Sequence, residues 1–310
     1  MLRVLARRLG QVLTTVLLVA LLVFGLMRLL PGDAALMLLG ERGSDEGVAQ
    51  LRREMGLDQS VVVQFWEFLI HTASGRLGQS SSMRVPVVQL IEERLPITLA
   101  LTGMAATLAL LIAGPLAFAA ALRPGSWVDV LVRAIAQLSL SMPVFYIGLV
   151  LLIVLGAGLH WFPVGGIGEG VLGTLHSLVL PSLTLALSLS AVLLRNLREQ
   201  LIEVMHAEYV GFAVAKGLPR RLVLGRHVLR NAWISTITLL GLHIGSLVGG
   251  AVITETVFAI PGVGRLMIDS IFARDYPVVQ GLTMVLAILV SVVFVAVDTV
   301  QVWLDPRVAR

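Results

Sequence analysis

Six stretches of this chain are too long and too apolar to sit in anything but a hydrocarbon-like medium. They cover roughly residues 11–30, 97–122, 128–156, 178–194, 234–257 and 280–303. A spanning helix needs about 20 apolar residues to cross the roughly 30 Å hydrocarbon core. Composition agrees, with 57% hydrophobic residues, 14% charged and mean hydropathy +0.93. A soluble domain carries about a quarter charged residues, so there are too few here to cover a water-facing surface. The expected fold is an all-α integral membrane protein with six transmembrane helices.

The charges set the topology. Arg3, Arg7 and Arg8 precede the first run, residues 195–230 are densely basic, and the loop over 159–175 has no Lys or Arg. The positive-inside rule then puts both termini and the 195–230 loop in the cytoplasm, with residues 31–95 outside. The first run exceeds the usual ~7–15 residue signal core, and no small-x-small site closes it, so it reads as a retained helix. The net charge of +4 is spread over the ends of apolar runs and one loop, not gathered in a nucleic-acid-binding tract. With no cysteine there is no disulfide or thiolate chemistry.

Residues 31–95 read as folded. Ser44 is placed to cap a helix that has Asp45 and Glu46 in its first turn and Gly56 as its stop. A second helix puts Val62, Phe65, Trp66 and Leu69 on one face. That helix reads first as an interfacial element with Phe65 and Trp66 at headgroup level, and second as a docking element for an external partner.

Within the spans, Pro96, Pro115, Pro143 and Pro181 are tolerable because neighbouring helices re-satisfy the freed carbonyls. Pro143 is the most central and is expected to kink its helix, either as a hinge or as a static packing feature. Gly241, Gly245 and Gly249 form two overlapping G-x-x-x-G patterns, which permit close helix approach. His243, Ser246 and Thr254 fall on roughly the opposite side. With Ser141 and Pro143 they are the candidates for lining a transport pathway. The alternative is that the hydroxyls bond back to their own helix and His243 pairs with a neighbour.

Glu255 and Asp298 lie close to the bilayer, where an ionised side chain costs about 2.5–3.5 kcal/mol at the centre. Each is expected to have a partner or to reach water, with a structural or gating role. The six histidines form no H-E-x-x-H pair, and there is no G-x-S-x-G elbow and no G-x-x-x-x-G-K-[ST] phosphate loop. No catalytic residue, metal site or cofactor of its own is therefore expected, and any ATP-driven work would need another polypeptide.

The most informative stretch is 208–218, Glu-Tyr-Val-Gly-Phe-Ala-Val-Ala-Lys-Gly-Leu, followed over 226–232 by Arg-His-Val-Leu-Arg-Asn-Ala. It reads as a short helix of small and apolar residues, stopped by glycine, in a loop that should be polar. Exposed apolar surface there suggests docking; a helix lying flat on the inner membrane surface is the alternative.

This stretch resembles the ATPase-docking loop of permease subunits of bacterial ABC importers, in the dipeptide, oligopeptide and nickel branch. Tyr209, Val210, Ala213, Ala215, Lys216, Gly217, Leu218 and residues 227–232 match its pattern, while Gly211 and Val214 stand where arginine is usual. The similarity is colinear along the chain: residues 28–33, 51–59, 75–80, 94–98, 141–145, 255–264, 273–280 and 304–307 fit in order and spacing.

The resemblance implies a type I ABC importer permease in a bacterial inner membrane. Residues 1–30 would hold the N-terminal tail and first span, 31–95 an extracytoplasmic segment, and 96–310 a five-helix core with its docking loop at about 196–232. Glu208, Tyr209, Val210, Phe212, Ala213, Ala215, Lys216, Gly217 and Leu218 would form the docking surface. The implied partners are a second related permease, most simply in a heterodimer, two cytoplasmic ATPases that bind ATP and Mg, and an extracytoplasmic substrate-binding protein. Short peptides are the expected cargo, with nickel chelates, glutathione or opines as alternatives. A secondary transporter driven by an ion gradient is the distant rival; it would need inverted repeats and more titratable groups in the membrane.

Overall fold

A computed structural model of the chain describes residues 2–29, 45–54 and 58–304. Among the described residues the regular structure is helical, with one isolated antiparallel bridge between Gln79 and Pro86. In chain order the helices are α1 (Leu2–Leu29), α2 (Asp45–Glu54), α3 (Val61–Ala73), α4 (Val87–Leu122), α5 (Trp127–Ser141) and α6 (Val144–Leu151). Then follow α7 (Gly170–Met205), α8 (Glu208–Ala215), α9 (Arg220–Leu222), α10 (Arg230–Val257), α11 (Val263–Phe272) and α12 (Tyr276–Leu304). Two stretches of wider π-helix, Leu152–Gly158 and Val223–Leu229, extend α6 and join α9 to α10.

Among the described residues five helices are long and apolar enough to cross a membrane: α1, α4, α7, the continuous α9–α10 helix and α12. The sixth expected span, over 128–156, is broken and not merely kinked. A proline drives the residue before it out of the helical region, and Met142 sits at φ −92°, ψ 134°. So α5 ends at Ser141, α6 starts behind Pro143, and the two are bent by 107°. Counted as one broken span, the pair brings the total to six. The expected helix over residues 44–56 is present as α2; Ser44 and Gly56 lie outside the described residues.

The chain divides into two compact units. The first comprises Met1–Leu95 and Leu266–Val292. In it α1 meets α3 through an aromatic cluster, with Phe24 5.2 Å from Phe65 and 5.9 Å from Phe68 between ring centroids. Arg28 lies 4.6 Å above the Phe24 ring, a cation–π contact, and its guanidinium donates to the Gln64 side chain. This splits the face expected for α3: Phe65 packs inward while Val62 and Trp66 stay exposed. The helix rolls towards its phenylalanines because Phe24 offers them a ring partner.

The same unit contains a buried staple. Asp275 accepts from the hydroxyls of Ser80 (2.5 Å) and Ser82 (2.7 Å) and from the backbone N–H groups of Ser81 and Ser82 (3.1 Å each). Burial works to raise the pKa of Asp275, but these four donors outweigh it and hold the carboxyl below its ordinary value of 3.8. The turn over 80–84 is thereby tied to the segment just before α12.

The second unit comprises Pro96–Arg265 and Val293–Arg310. Its hub is α7, which packs against α10, α5 and α6. The apolar span of α7 is 72% buried within the chain, against 11% for α1, so α7 is the inner helix. Small residues make that packing possible: Ala105, Ala109, Ala113 and Ala117 recur every fourth residue along α4 and are fully buried. Gly241 serves α10 in the same way, since a Cβ there would fall 1.9 Å from Val297 Cγ1. Gly249, two turns on, has nothing within 4 Å.

Candidate functional site

The helix α8 stands between the two longest apolar helices of the second unit and is eight residues long. Its buried side is Val210 and Ala213, three residues apart, and these belong to one apolar cluster with Val223 and Val228 of the following π-helical turn. The other side is open. Tyr209 is 45% exposed, Phe212 66% and Val214 61%, and Leu218 and Leu222 continue the apolar strip beyond the helix. Glu208, Ala215, Lys216 and Gly217 are exposed as well.

The end of α8 is built by the glycine. Gly217 has φ +74°, the left-handed conformation that costs other residues about 1–2 kcal/mol. Its N–H donates to Val214 C=O at 2.9 Å and the Leu218 N–H to Ala213 C=O at 3.2 Å, which is the Schellman arrangement. The chain is thereby turned so that Leu218 leaves the helix on its exposed side. Tyr209 is fixed from the other end: Asn231 Nδ2 donates to its hydroxyl at 3.0 Å and to His227 C=O at 2.7 Å. Asn231 belongs to the pattern over 227–232, and nothing local in the sequence links it to Tyr209, 22 residues away.

Glu255 ends up far from water. It is fully buried near the end of α10, accepting from Thr98 Oγ1 at 2.5 Å and from the Arg265 N–H at 2.9 Å. Thr98 Oγ1 in turn accepts from the Val263 N–H at 3.0 Å. Residues 263 and 265 are the first turn of α11, whose N–H groups have no partners within the helix. A side chain from α4 and one from α10 cap α11 between them. The cap needs glycine: a Cβ on Gly262 would fall 2.2 Å from Glu255 Oε1, and one on Gly264 2.5 Å from Val252 Cα. The 255–264 motif is thus a close-packed joint. Thr98, Gly262 and Gly264 are residues to which sequence reading gave no role.

Of the pathway candidates, Ser246 Oγ and His243 Nδ1 lie 3.4 Å apart on α10. Ser141, Ser246 and Thr254 each donate back to their own helices, to Gln137, His243 and Gly250 C=O at 2.9, 2.6 and 2.9 Å. Thr254 is buried, His243 half-buried, Ser246 and Ser141 exposed, and Pro143 sits exposed at the α5–α6 break. Asp298 lies on α12, and its side chain is outside the described residues. No group of three or more metal-ligating side chains occurs among the described residues.

Comparison with known proteins places this architecture. The family described as binding-protein-dependent transport system inner membrane component matches residues 113–310, and its N-terminal part matches residues 1–102. A Brucella suis permease protein named for peptide transport is 39% identical over 305 residues, 97% of each chain. The Salmonella typhimurium glutathione transport system permease protein GsiC is 35% identical over 308 residues, 99% of each chain. Among solved structures, a chain of the inward-facing MetNI methionine ABC transporter aligns with TM-score 0.59 and 17% identity, covering 70% of this chain and 97% of that one. At that identity the likeness speaks for the fold alone. This chain belongs to the binding-protein-dependent inner membrane components: it is a multi-pass permease subunit of an ABC importer, a family in which separate subunits hydrolyse ATP.

Proposed function

We propose that this permease imports short peptides across a bacterial inner membrane, with both termini in the cytoplasm, and that α8 is the surface gripped by a partner ATPase. The observation that carries the second part is the exposed strip of Tyr209, Phe212, Val214 and Leu218 on a helix whose base is anchored by Val210 and Ala213. A water-facing loop does not keep such residues out unless something covers them. The anchoring gives the strip mechanical value. A push on Phe212 passes through Val210 and Ala213 to Val223 and Val228, and so into α10. Closure of two ATPases that bind ATP and Mg would move α8 and with it the spanning helices.

The remaining parts follow the family plan. A second related permease, in a heterodimer, completes the pathway, and an extracytoplasmic binding protein delivers cargo to the outer segment at 31–95. Residues 96–310 form the core, and Ser141, Pro143, His243, Ser246 and Thr254 are the positions at which to look for the pathway. Peptide cargo rests on the name of the Brucella relative; the GsiC relative makes glutathione the second substrate to test.

The sharpest test is Ala215→Glu in the assembled transporter. Ala215 is exposed and has ordinary helical geometry, so the fold tolerates the change. A carboxylate buried unpaired at the contact should separate hydrolysis from uptake. Co-purification of the ATPase and uptake of a labelled dipeptide and of labelled glutathione are then measured. Unchanged ATPase retention and uptake would remove α8 as the docking element. Uptake of glutathione without dipeptide would overturn the cargo and leave the docking intact.

A further inference from the structure

Between α5 and α7 lies a cavity of about 510 Å³ that the transport function leaves unexplained. One part of its wall is apolar, with Val130, Ala134 and Leu140 from α5 and Leu194 from α7. The other carries three guanidinium groups, Arg133, Arg195 and Arg198. We infer that this cavity holds the phosphodiester headgroup of an anionic phospholipid, with the start of an acyl chain lying along Val130 and Leu140.

The electrostatics leave room for an anion. Arg198 and Arg133 converge on one oxygen of Asp129, at 2.5 and 3.4 Å, and Arg198 makes a second bond to the other oxygen at 2.8 Å. Asp129 is fully buried beneath them and also accepts from the Gly125 N–H at 2.9 Å. Arg195 faces Glu199 at 3.4 Å, with the two side chains 70% and 58% exposed. Such an exposed pair is worth roughly 0–1 kcal/mol, so Arg195 is free to turn to a better acceptor. Three cations against Asp129 and Glu199 leave one positive charge over. Neither Nη of Arg133 has a protein acceptor among the described residues.

The setting selects a lipid. α5 has 15 residues, about 22 Å, which is too short to cross the bilayer core. It buries Asp129, Val132 and Ala136, while Trp127, Leu131, Ile135 and Leu138 are more than half or about half exposed. An apolar outer face with tryptophan at its end is the pattern of a helix lying at the headgroup boundary. A cavity there that is basic on one side and apolar on the other matches a phospholipid, whereas a free phosphate would use only the basic side.

The test uses the full chain in mild detergent, with phosphatidylglycerol, phosphatidylcholine or inorganic phosphate added separately. Native mass spectrometry reads retained lipid, and thermal melting reads stabilisation. Phosphatidylglycerol should be retained and should raise the melting temperature; the other two should do neither. Arg133→Gln combined with Arg195→Gln leaves the Asp129–Arg198 pair in place and should lower retention about tenfold. Ala134→Trp, which fills the apolar wall without touching a charge, should lower it too. Equal retention by the double variant, equal retention of phosphatidylcholine, or equal stabilisation by inorganic phosphate would overturn the assignment. So would loss of the lipid when a second permease subunit binds, because the cavity would then be a protein interface.

Discussion

Replacing Gly264 with alanine puts one methyl group into the joint between α10 and α11. The new Cβ would lie 2.5 Å from Val252 Cα and 2.9 Å from Glu255 Oε2. Ordinary contact begins at 3.4 Å, so α11 must retreat by 3.4 less 2.5, about 0.9 Å, since the backbone of α10 cannot turn aside. A retreat of that size along the bond would stretch the Arg265 N–H to Glu255 contact from 2.9 to about 3.8 Å, beyond hydrogen-bonding reach. Overpacking costs about 1–3 kcal/mol, and a lost bond to a carboxylate about 1.5–3 kcal/mol. These overlap, so the expected destabilisation is about 3–5 kcal/mol. The control is Gly249→Ala on the same helix, where nothing lies within 4 Å and the change should be neutral or stabilising by about 0.5–1 kcal/mol. Denaturant unfolding of both variants in one detergent reads the difference. If Gly264→Ala unfolds at the same midpoint as Gly249→Ala, the joint is not close-packed and the reading of the 255–264 motif fails.

Thr98→Val should cost about 1–3 kcal/mol in the same assay, because it strips Glu255 of one donor and the Val263 N–H of its acceptor while keeping the volume. Asp129→Ala leaves Arg198, only 16% exposed, without its carboxylate; a loss of about 3 kcal/mol is expected, at the low end for a broken buried pair because Arg198 still touches water. Asp275 has its folded pKa depressed, so its contribution is complete above the ordinary value of 3.8 and is lost as pH falls through the lower folded value. Amide protection of Ser81 and Ser82 should therefore fall as pH drops below about 4, and Asp275→Asn should abolish that dependence. Tyr209→Phe and Asn231→Ala, made singly and together, should show coupling of about 0.5–1.5 kcal/mol if the 3.0 Å bond holds the tyrosine in place; additive effects would deny it.

The places of the spanning helices were legible because a bilayer imposes a run length that composition alone can meet; their full lengths were not, since the run over 178–194 lies inside a helix of 36 residues. The short helix α8 was legible too, because Gly217 and the apolar residues before it break the polarity expected of a loop. The break between α5 and α6 was half legible. Pro143 announced a bend, but a proline does not say whether its neighbours will restore the helix, and here Met142 turns extended. What the sequence hid were partners far apart in it. Thr98 and Glu255 are separated by 157 residues, Ser80 and Asp275 by 195, and Asp129 and Arg198 by 69. Each of these polar residues, taken alone, is one exception in an apolar or loop context, and no local period links it to its mate. The glycines at 262 and 264 had no role in the sequence, because the carboxyl group that fills the space beside them comes from α10.

The three acids buried among the described residues share one physical task, and it bears on how such a chain transmits force. Glu255 caps the free N–H groups of α11, Asp275 gathers the N–H and hydroxyl groups of a tight turn, and Asp129 holds Gly125 and two arginines at the start of α5. Each sits where a helix starts or a turn tightens, the places where backbone groups lack partners and where water is scarce in a membrane protein. Satisfying them from distant side chains makes these corners stiff, because moving one element costs the hydrogen bonds of another. The start of α8, like those of α3, α6 and α7, is not held in this way. No side chain caps it, and Ala207 stands at its N-cap position. Its hold on the chain is the apolar pair Val210 and Ala213 and the Asn231–Tyr209 bond. A helix fixed mainly by apolar packing can rock by small amounts while remaining in contact, whereas one pinned by buried charge cannot. Stiff corners around a helix that can rock are what a motion delivered at α8 requires if it is to reach α10 undiminished.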